Sequence, residues 1–265
     1  MEAFRLYSRH LRTRTRYVAL RAIADGALFA ETFGEGSPRV LALHGWGRRG
    51  SDFRQSLSDF DALAVDLPGF GASPPPSEVL GAEGYAALLT PVLDEFEMPP
   101  VVIGHSFGGR VAVCLAAANR DRVGPLVITG SPLLRLAPGR KPSPGYRMLR
   151  FLNRIGLISD DRMERVRRSR GSADYRAARG VMRDVLVKVI NEDYEQQLRE
   201  LGSRVILLWG EEDREVPLEV AERALRVIRQ AGGTAELEVL AGVGHLVPVE
   251  APVAIGRLVE EALRS

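Results

Sequence analysis

The sequence predicts an α/β fold in which helices flank a mostly parallel sheet and a helical segment is inserted late in the chain. Three observations lead to this prediction. Short apolar runs alternate with stretches of helical character, and an Asp-Gly turn joins two leading strands. After Ser131-Pro132 the alternation stops for about 65 residues of mainly helical character, far more than an ordinary connection needs.

Five apolar runs have the length and composition of strands that are covered on both faces of a parallel sheet. They are Val40 to Leu43, Ala62 to Val65, Val101 to Ile103, Leu126 to Thr129 and Val205 to Trp209. A sixth run, Leu237 to Leu240, is also strand-like. Helical stretches separate them, from Glu83 to Phe96, Phe107 to Asn119, Leu218 to Ile228 and Pro252 to Leu263. Asp25-Gly26 is typical of a hairpin turn, so we expect the sheet to begin with an antiparallel pair.

The inserted segment opens with Pro138, Pro142 and Pro144 and continues with three predicted helices. These run from Tyr146 to Ile155, from Asp160 to Arg170 and from Ser172 to Leu201, the last either continuous or broken near Asn191. We therefore predict a core made of residues 1–131 and 202–265, with residues 132–201 forming a cap over one end of the sheet.

Composition narrows the class of protein. With 265 residues, 45% of them hydrophobic, the chain can bury a large core, and Cys114 is the only cysteine, which excludes an internal disulfide. No apolar stretch approaches the roughly 18 residues that span a bilayer, and the basic start lacks the apolar middle of a secretory signal. We expect a cytoplasmic protein with no stable membrane insertion and no nucleic-acid partner.

The clearest motif is Gly104-His105-Ser106-Phe107-Gly108, which follows an apolar strand and leads into a helix. A serine on such a sharp turn needs neighbours without side chains two positions before and two after it. Gly104 and Gly108 meet that need. This strand-turn-helix context predicts that Ser106 is a catalytic nucleophile.

A serine hydroxyl needs a base, and the base needs an acid that orients it. Of four histidines, His245 follows a strand in a Gly-rich loop, whereas we expect the side chain of His105 to point away from the hydroxyl. Asp213 follows another strand, and the helix after Val216-Pro217 leaves it free to turn toward His245; Glu211 and Glu212 are expected in solvent. The chain order of serine, aspartate and histidine is the one associated with a nucleophile elbow.

The turn His44-Gly45-Trp46-Gly47 also follows a buried strand, and its glycines let a backbone amide approach the serine. We assign the backbone amides of Trp46 and Phe107 to an oxyanion hole. The indole of Trp46 either lines the substrate pocket or packs in the core.

With these motifs in view, the chain resembles the α/β-hydrolase superfamily over nearly its whole length. The residues that carry the resemblance are His44 to Gly47, Asp66 to Gly71 (D-L-P-G-F-G), Gly104 to Gly109, Gly210 to Pro217 and Gly242 to His245. The first two motifs look like those of pimeloyl-carrier-protein methyl ester esterases and related carboxylesterases. The resemblance implies a helical cap between the sixth and seventh strands and a structural role for Asp66.

The resemblance leaves several reactions open. We expect a serine esterase that cleaves a carboxylic ester or thioester through an acyl-enzyme on Ser106. Carbon-carbon bond hydrolysis and a cofactor-free haloperoxidase-like activity are alternatives, although Arg48-Arg49-Gly50 stands where carbon-carbon hydrolases often have glycine-proline-glycine. A non-catalytic ligand receptor on the same fold is a further alternative.

We expect no metal or other cofactor, since protein groups supply every catalytic part. The expected partner is a small acyl substrate, with Trp46, Met148, Phe151 and Tyr175 as candidate contacts. Residues 131–190 hold 15 basic and 5 acidic side chains, so the cap either attracts an anionic or carrier-bound substrate or only reflects an arginine-rich composition.

Overall fold

An eight-stranded sheet forms the centre of the molecule. The computed structural model describes residues 18–136 and 173–264, together with residues 148, 149, 151, 153, 155, 158 and 159. The strands are β1 (Val18–Ile23), β2 (Leu28–Phe33), β3 (Val40–Leu43), β4 (Ala62–Asp66), β5 (Val101–His105), β6 (Leu126–Thr129), β7 (Val205–Gly210) and β8 (Ala235–Leu240). Their order across the sheet is β1-β2-β4-β3-β5-β6-β7-β8.

The pairing of the strands confirms the predicted fold class. Strand β2 runs antiparallel to both β1 and β4, and every other neighbouring pair is parallel. Every residue of β3 to β7 is buried, as expected for strands covered on both faces. Side chains of alternate residues point to opposite faces of the sheet. In β3, Leu41 and Leu43 belong to one apolar cluster, and Val40 and Ala42 belong to the other.

Helices cover both faces of the sheet. In chain order they are α1 (Arg54–Leu57), α2 (Ala82–Leu89), α3 (Phe107–Ala118), α4 (Ala173–Ala177), α5 (Val181–Val189), α6 (Glu195–Arg199), α7 (Leu218–Gln230), α8 (Val247–Glu250) and α9 (Pro252–Ala262). Short 3-10 helices occupy Gly50–Phe53 and Thr90–Glu95. Buried side chains of α1 and α9 pack on one face, and those of α2, α3 and α7 pack on the other.

Two predicted helices are interrupted. The stretch predicted as one helix from Glu83 to Phe96 is α2 followed by a 3-10 helix, and Pro91 stands at the start of that second piece. Proline has no amide hydrogen to donate and cannot continue an α-helix unbroken. The stretch from Ser172 to Leu201 breaks after α5, near Asn191, which is one of the two predicted alternatives. It also breaks before α5, at Gly180, where φ is 50°, and this break is not predicted from the sequence.

The described part of the inserted segment packs against the core. Met182 of α5 packs against Gly69 in the loop after β4, and its sulfur lies 3.7 Å from the hydroxyl of Tyr85 in α2. The backbone amide of Tyr194 donates to the carbonyl of Leu133 at 3.0 Å, which ties the end of the insertion to its beginning. The predicted helix from Asp160 to Arg170 lies outside the described residues.

Cys114 of α3 is buried among apolar side chains. Across the described ranges, no helix combines the length and the apolar character that crossing a membrane requires.

Candidate active site

Ser106 stands on a sharp turn between β5 and α3. Its φ of 51° and ψ of −111° lie in a region that residues with side chains seldom adopt. A Cβ atom on Gly104 would lie 2.5 Å from Gly109 Cα, and one on Gly108 would lie 2.1 Å from the carbonyl oxygen of Leu43. The two positions flanking the serine are therefore closed to side chains, which is the feature the motif predicted.

Hydrogen bonds hold the serine turn in place. The Ser106 amide donates to the carbonyl of Thr129 at 2.9 Å, and the Ser131 hydroxyl donates to the Ser106 carbonyl at 2.8 Å. The neighbouring strand β6 and the residues after it thus support the turn from one side. The strained backbone presents a partly exposed side chain at the carboxyl end of the sheet.

Asp213 and His245 form a hydrogen-bonded pair. Asp213 Oδ2 lies 2.9 Å from His245 Nδ1, while Asp213 Oδ1 accepts the amides of Glu215 and Val216 at 2.9 and 2.8 Å. Burial raises the pKa of the Asp213 carboxyl, but these three hydrogen bonds outweigh it and hold that pKa below its usual value. The acid is therefore ionised and fixed, whereas Glu211 and Glu212 are exposed.

The imidazole of His245 is almost covered, with 10% of its side chain exposed. Burial lowers the pKa of this ring. The hydrogen bond to Asp213 and the negative charges of Asp213, Glu215 and Glu250 raise the pKa, and their combined effect is larger than that of burial. The pKa of His245 thus lies above the ordinary 6.5. Since Nδ1 donates to Asp213, Nε2 is the nitrogen that can accept a proton from a substrate or nucleophile.

The three predicted catalytic residues converge on one region. The ring of His105, next to Ser106 in the chain, lies 5.0 Å from the ring of His245, measured between centroids. Among the described residues, no hydrogen bond joins the Ser106 hydroxyl to His245, and His245 Nε2 instead lies 3.6 Å from Glu215 Oε2. In enzymes without bound substrate such catalytic contacts are often long and tighten on binding.

The turn at residues 44–47 lies directly against the serine. A Cβ atom on Gly45 would be 3.4 Å from Ser106 Cβ, so the backbone that carries Trp46 closely approaches the nucleophile. Helix α3 begins at Phe107, so the Phe107 amide has no carbonyl partner within the helix. These are the two amides that the sequence predicts as the oxyanion hole.

His44 is a support for this turn that the sequence reasoning did not single out. Its Nε2 accepts the amide of Leu67 at 2.9 Å, so the proton is on Nδ1, which donates to the Gly45 carbonyl at 2.7 Å. Burial lowers the pKa of His44 to about 4 and keeps the ring neutral. Asp66 supports the same region, because its carboxylate accepts the amides of Gly50 and Ala72 at 2.9 and 2.8 Å.

His105 is a second residue whose place could not be read from the sequence. Its ring is buried between the Gly45 turn, Thr129 and His245, and its Nδ1 shares a hydrogen bond of 3.1 Å with the Thr129 hydroxyl. Burial, followed by the nearby His245, lowers the pKa of His105 to about 3. A neutral imidazole therefore lies beside the pair of Asp213 and His245.

Aromatic rings pack together next to the two turns that carry Trp46 and Ser106. Trp46 packs edge-on against Phe70 and Phe107, with ring centroids 4.9 and 5.5 Å apart, yet it stays partly exposed. Its indole therefore both packs in the core and presents a surface to solvent.

Of the other predicted substrate contacts, Met148 and Phe151 are 58% and 56% exposed. Tyr175 is partly buried, with the guanidinium of Arg183 5.4 Å from its ring. Their contact with substrate stays a prediction.

Comparison with known proteins identifies the family and agrees with the fold. Residues 40–257 match the sequence profile described as the alpha/beta hydrolase family. The chain is 29% identical to a 2-hydroxy-6-oxononadienedioate/2-hydroxy-6-oxononatrienedioate hydrolase of Cupriavidus pinatubonensis, over 87% of this chain and 88% of that protein. It is also 29% identical to a pimeloyl-[acyl-carrier protein] methyl ester esterase of Methylococcus capsulatus, over 76% and 85% of the two chains.

A solved structure shows the same fold. The thermophilic esterase of Thermogutta terrifontis superposes with a TM-score of 0.63 at 24% identity, covering 94% of this chain and 98% of that one.

Proposed function

Because this chain belongs to the alpha/beta hydrolase family, we propose that it is a serine hydrolase that cleaves a carboxylic ester or thioester through an acyl-enzyme on Ser106. The observation that carries the proposal is the 2.9 Å pair of Asp213 and His245 beside a serine held at a φ of 51°. In this arrangement each group has a defined task, and no group from outside the chain is needed for the acyl transfer.

In the first half of the reaction, the Ser106 hydroxyl attacks the acyl carbon and its proton passes to His245 Nε2. Asp213 stabilises the resulting imidazolium through Nδ1. The amides of Trp46 and Phe107 donate to the oxyanion of the tetrahedral intermediate, and losing one such donor typically costs about 3 kcal/mol of transition-state stabilisation. As the intermediate collapses, the bond to the leaving group breaks and Nε2 gives its proton to the leaving atom.

In the second half, a water molecule gives a proton to Nε2 and attacks the acyl carbon of the acyl-enzyme. The bond between that carbon and Ser106 Oγ breaks, and the proton returns to the serine. The products are a carboxylic acid and the free alcohol or thiol. Neutral His44 and neutral His105 add no competing positive charge beside the imidazolium, since burial keeps the pKa of each far below neutrality.

Comparison of Ser106→Ala with the wild-type protein tests the proposal. Wild-type protein should hydrolyse p-nitrophenyl esters and react with a fluorophosphonate probe at Ser106, and the variant should do neither while unfolding at an unchanged temperature. Turnover retained by a folded Ser106→Ala variant would refute the assignment. Failure of wild-type protein to react with the probe would instead favour a ligand receptor on the same fold.

A carbon-carbon bond hydrolase is the second candidate, because the Cupriavidus relative, which matches 87% of this chain, is named for an oxo-dienedioate substrate. Such a compound contains no ester bond, so its hydrolysis must cleave a carbon-carbon bond. The same triad could serve it. Arg48-Arg49-Gly50 after the oxyanion turn favours the ester reaction. Parallel assays on a dienoate ketone and on esters of matched acyl length would separate the two candidates by kcat/KM.

We also infer that residues 132–201 act as a cap and help to select the acyl group. Met182, on α5 in this segment, packs against Gly69 of the loop after β4, where a Cβ on Gly69 would be 2.3 Å from the Met182 sulfur. The excess of basic residues between positions 131 and 190 would attract an anionic or carrier-bound substrate. If it does, kcat/KM for an anionic acyl chain should fall with added salt more steeply than for a neutral one.

A further inference from the structure

A carboxylate lies next to the working nitrogen of His245. Glu215 Oε2 is 3.6 Å from His245 Nε2, on the ring atom opposite the one that Asp213 holds. The backbone of Glu215 is fixed, because its amide donates to Asp213 Oδ1 at 2.9 Å. The loop that positions the acid of the triad therefore also positions a second acidic residue at the base.

The proposed acyl transfer makes no use of this second carboxylate. Glu215 has 72% of its side chain exposed, whereas the Asp213 side chain is fully covered. Glu250, the other nearby acidic residue, accepts the amides of Gly244 and Leu246 at 2.7 and 2.9 Å, and so is committed to holding the histidine loop. Glu215 is thus the acidic side chain that is both beside Nε2 and largely open to solvent.

The positive side chains on the adjoining loops are paired with another carboxylate or exposed to solvent. Arg48, on the oxyanion side, donates from Nε to Asp52 Oδ2 in an ion pair of 2.5 Å. Arg214 precedes Glu215 in the chain and its side chain is exposed. The charges that raise the pKa of His245 all come from carboxylates, those of Asp213, Glu215 and Glu250.

The chemistry fixes where the leaving group must be. To receive its proton, the leaving atom has to come within about 3 Å of His245 Nε2. Because Glu215 Oε2 is 3.6 Å from the same nitrogen, the leaving atom and the carboxylate are at most about 7 Å apart. A charge on the leaving group two or three bonds from that atom lies within reach of the field of Glu215.

We propose that Glu215 determines leaving-group selectivity: the enzyme accepts esters and thioesters whose alcohol or thiol is neutral or cationic and discriminates against anionic ones. This inference rests on the proposed function. It assigns one charge preference to the acyl side of the substrate and the opposite preference to the leaving-group side. An acidic acyl chain remains compatible with the basic cap, while a negative charge on the leaving side is repelled.

The size of the effect follows from distance and exposure. Two unit charges about 7 Å apart in a largely solvated setting change a rate by about three- to tenfold, and salt reduces the change. The selectivity should therefore appear in kcat/KM at low ionic strength and shrink at high ionic strength.

Three thioesters with one acyl group test the proposal, with thiols that are cationic (thiocholine), neutral (2-mercaptoethanol) or anionic (3-mercaptopropionate). Thiol release is followed colorimetrically for wild-type protein, Glu215→Gln and the control Glu212→Gln, which removes an exposed carboxylate from the same loop. The ratio of kcat/KM for the cationic and anionic substrates, compared between proteins, cancels intrinsic thiol reactivity and any shift in the His245 pKa. Because the effects on the cationic and on the anionic substrate multiply, we expect Glu215→Gln to lower this ratio about ten- to hundredfold, and Glu212→Gln to leave it unchanged.

The outcomes separate this inference from the proposed function. A Glu215→Gln variant that changes the rates of all three substrates by one common factor overturns leaving-group selection and makes Glu215 only a modulator of the histidine. An equal drop of the ratio in Glu212→Gln overturns it too, because the effect is then one of overall charge. Absence of turnover by wild-type protein on all three thioesters and on p-nitrophenyl esters refutes the proposed function itself.

Discussion

Asp213 Oδ2 lies 2.9 Å from His245 Nδ1, and the other oxygen of the same carboxylate accepts the amides of Glu215 and Val216. The aspartate therefore cannot rotate away from the histidine without losing two backbone hydrogen bonds. This fixes the imidazole tautomer, with the proton on Nδ1 and the lone pair on Nε2. The loop after β7 thus sets both the orientation and the basicity of the candidate base.

The pH dependence of turnover should report the shifted pKa of His245. A general base works only when neutral, and the carboxylates around this ring raise its pKa above 6.5 against the opposing effect of burial. We expect kcat/KM to rise with pH along a limb whose midpoint lies above pH 6.5. Removing one carboxylate in Glu215→Gln should move that midpoint to lower pH, which a pH–rate profile on a neutral ester would measure. A midpoint unchanged in Glu215→Gln but shifted in Glu212→Gln would contradict this account.

The strands and the motif loops could be predicted because their signals are local. A strand buried on both faces is apolar along its length, so such strands can be recognised in the sequence. The predicted bounds of Val40–Leu43 and Leu126–Thr129 agree with those in the structure. The serine turn is equally local, since its glycines are required by backbone contacts within a few residues. The order of the motifs along the chain, and their positions after strands, then suffice to identify Asp213 and His245 as the candidate acid and base.

What could not be predicted depends on contacts between distant segments or on single backbone breaks. Gly180 lies between α4, which ends at Ala177, and α5, which begins at Val181, and a helical periodicity that continues across it hides the break. The His105 ring reaches His245 only because the loop after β8 lies over the ends of β7 and β6, with Gly244 against Gly210 and His245 against Gly130. Glu215 looks like a solvated residue in sequence, and its approach to Nε2 follows from the turn around Asp213, which periodicity does not encode.

Folding stability should fall on mild acidification because two buried histidines stay neutral. Burial lowers the pKa of His44 to about 4 and that of His105 to about 3, while the unfolded chain keeps the ordinary 6.5. Below pH 6.5 the unfolded state binds protons that the folded state excludes. For each histidine, the free energy of unfolding should therefore fall by about 1.4 kcal/mol for each pH unit below 6.5, until the pH reaches the pKa of that histidine in the folded protein. Urea unfolding at pH 7.5, 6 and 5 measures this slope.

The variant His105→Asn isolates one part of that slope. It removes one of the two titrating groups, so the loss of stability between pH 6 and pH 5 should be smaller than in wild-type protein. His245 acts with the opposite sign, since its raised pKa gives a stabilisation that is present below pH 6.5 and lost as pH rises through its folded pKa. It is common to both proteins and cancels in the comparison. Equal slopes in the two proteins would show that His105 is accessible to protons in the folded state.

Gly108→Ala should destabilise the fold because the added methyl group has no space. A Cβ atom at this position would lie 2.1 Å from the carbonyl oxygen of Leu43 and 2.7 Å from that of His44, and backbone atoms cannot give way cheaply. We expect a loss of about 3 kcal/mol or more in urea unfolding. Gly202→Ala is the matched control, since the nearest atom to its Cβ would be 3.9 Å away; it should change stability by less than about 0.5 kcal/mol. A Gly108→Ala variant as stable as the control would mean that the turn at residues 44–47 lies farther from α3 than the structure shows.

Arg110 should anchor the inserted segment to the helix that follows the serine. This buried residue of α3 donates from Nη1 to the Val189 carbonyl at 2.8 Å and from Nε to the Pro132 carbonyl at 3.2 Å, so it binds the start of the segment and the end of α5. Arg110→Met fills similar space but leaves both carbonyls without this donor, and we expect a loss of about 2 to 4 kcal/mol.

Hydrogen exchange distinguishes anchoring from a general loss of stability. If Arg110 holds the insertion, amides of α5 should exchange faster in Arg110→Met, by a larger factor than amides of β5 and β6 in the centre of the sheet. The contact with Tyr194, whose ring centre lies 5.8 Å from the Arg110 guanidinium, should loosen with it. An equal acceleration in α5 and in the central strands would mean that the arginine supports the whole core, and the cap would then need another attachment to the fold.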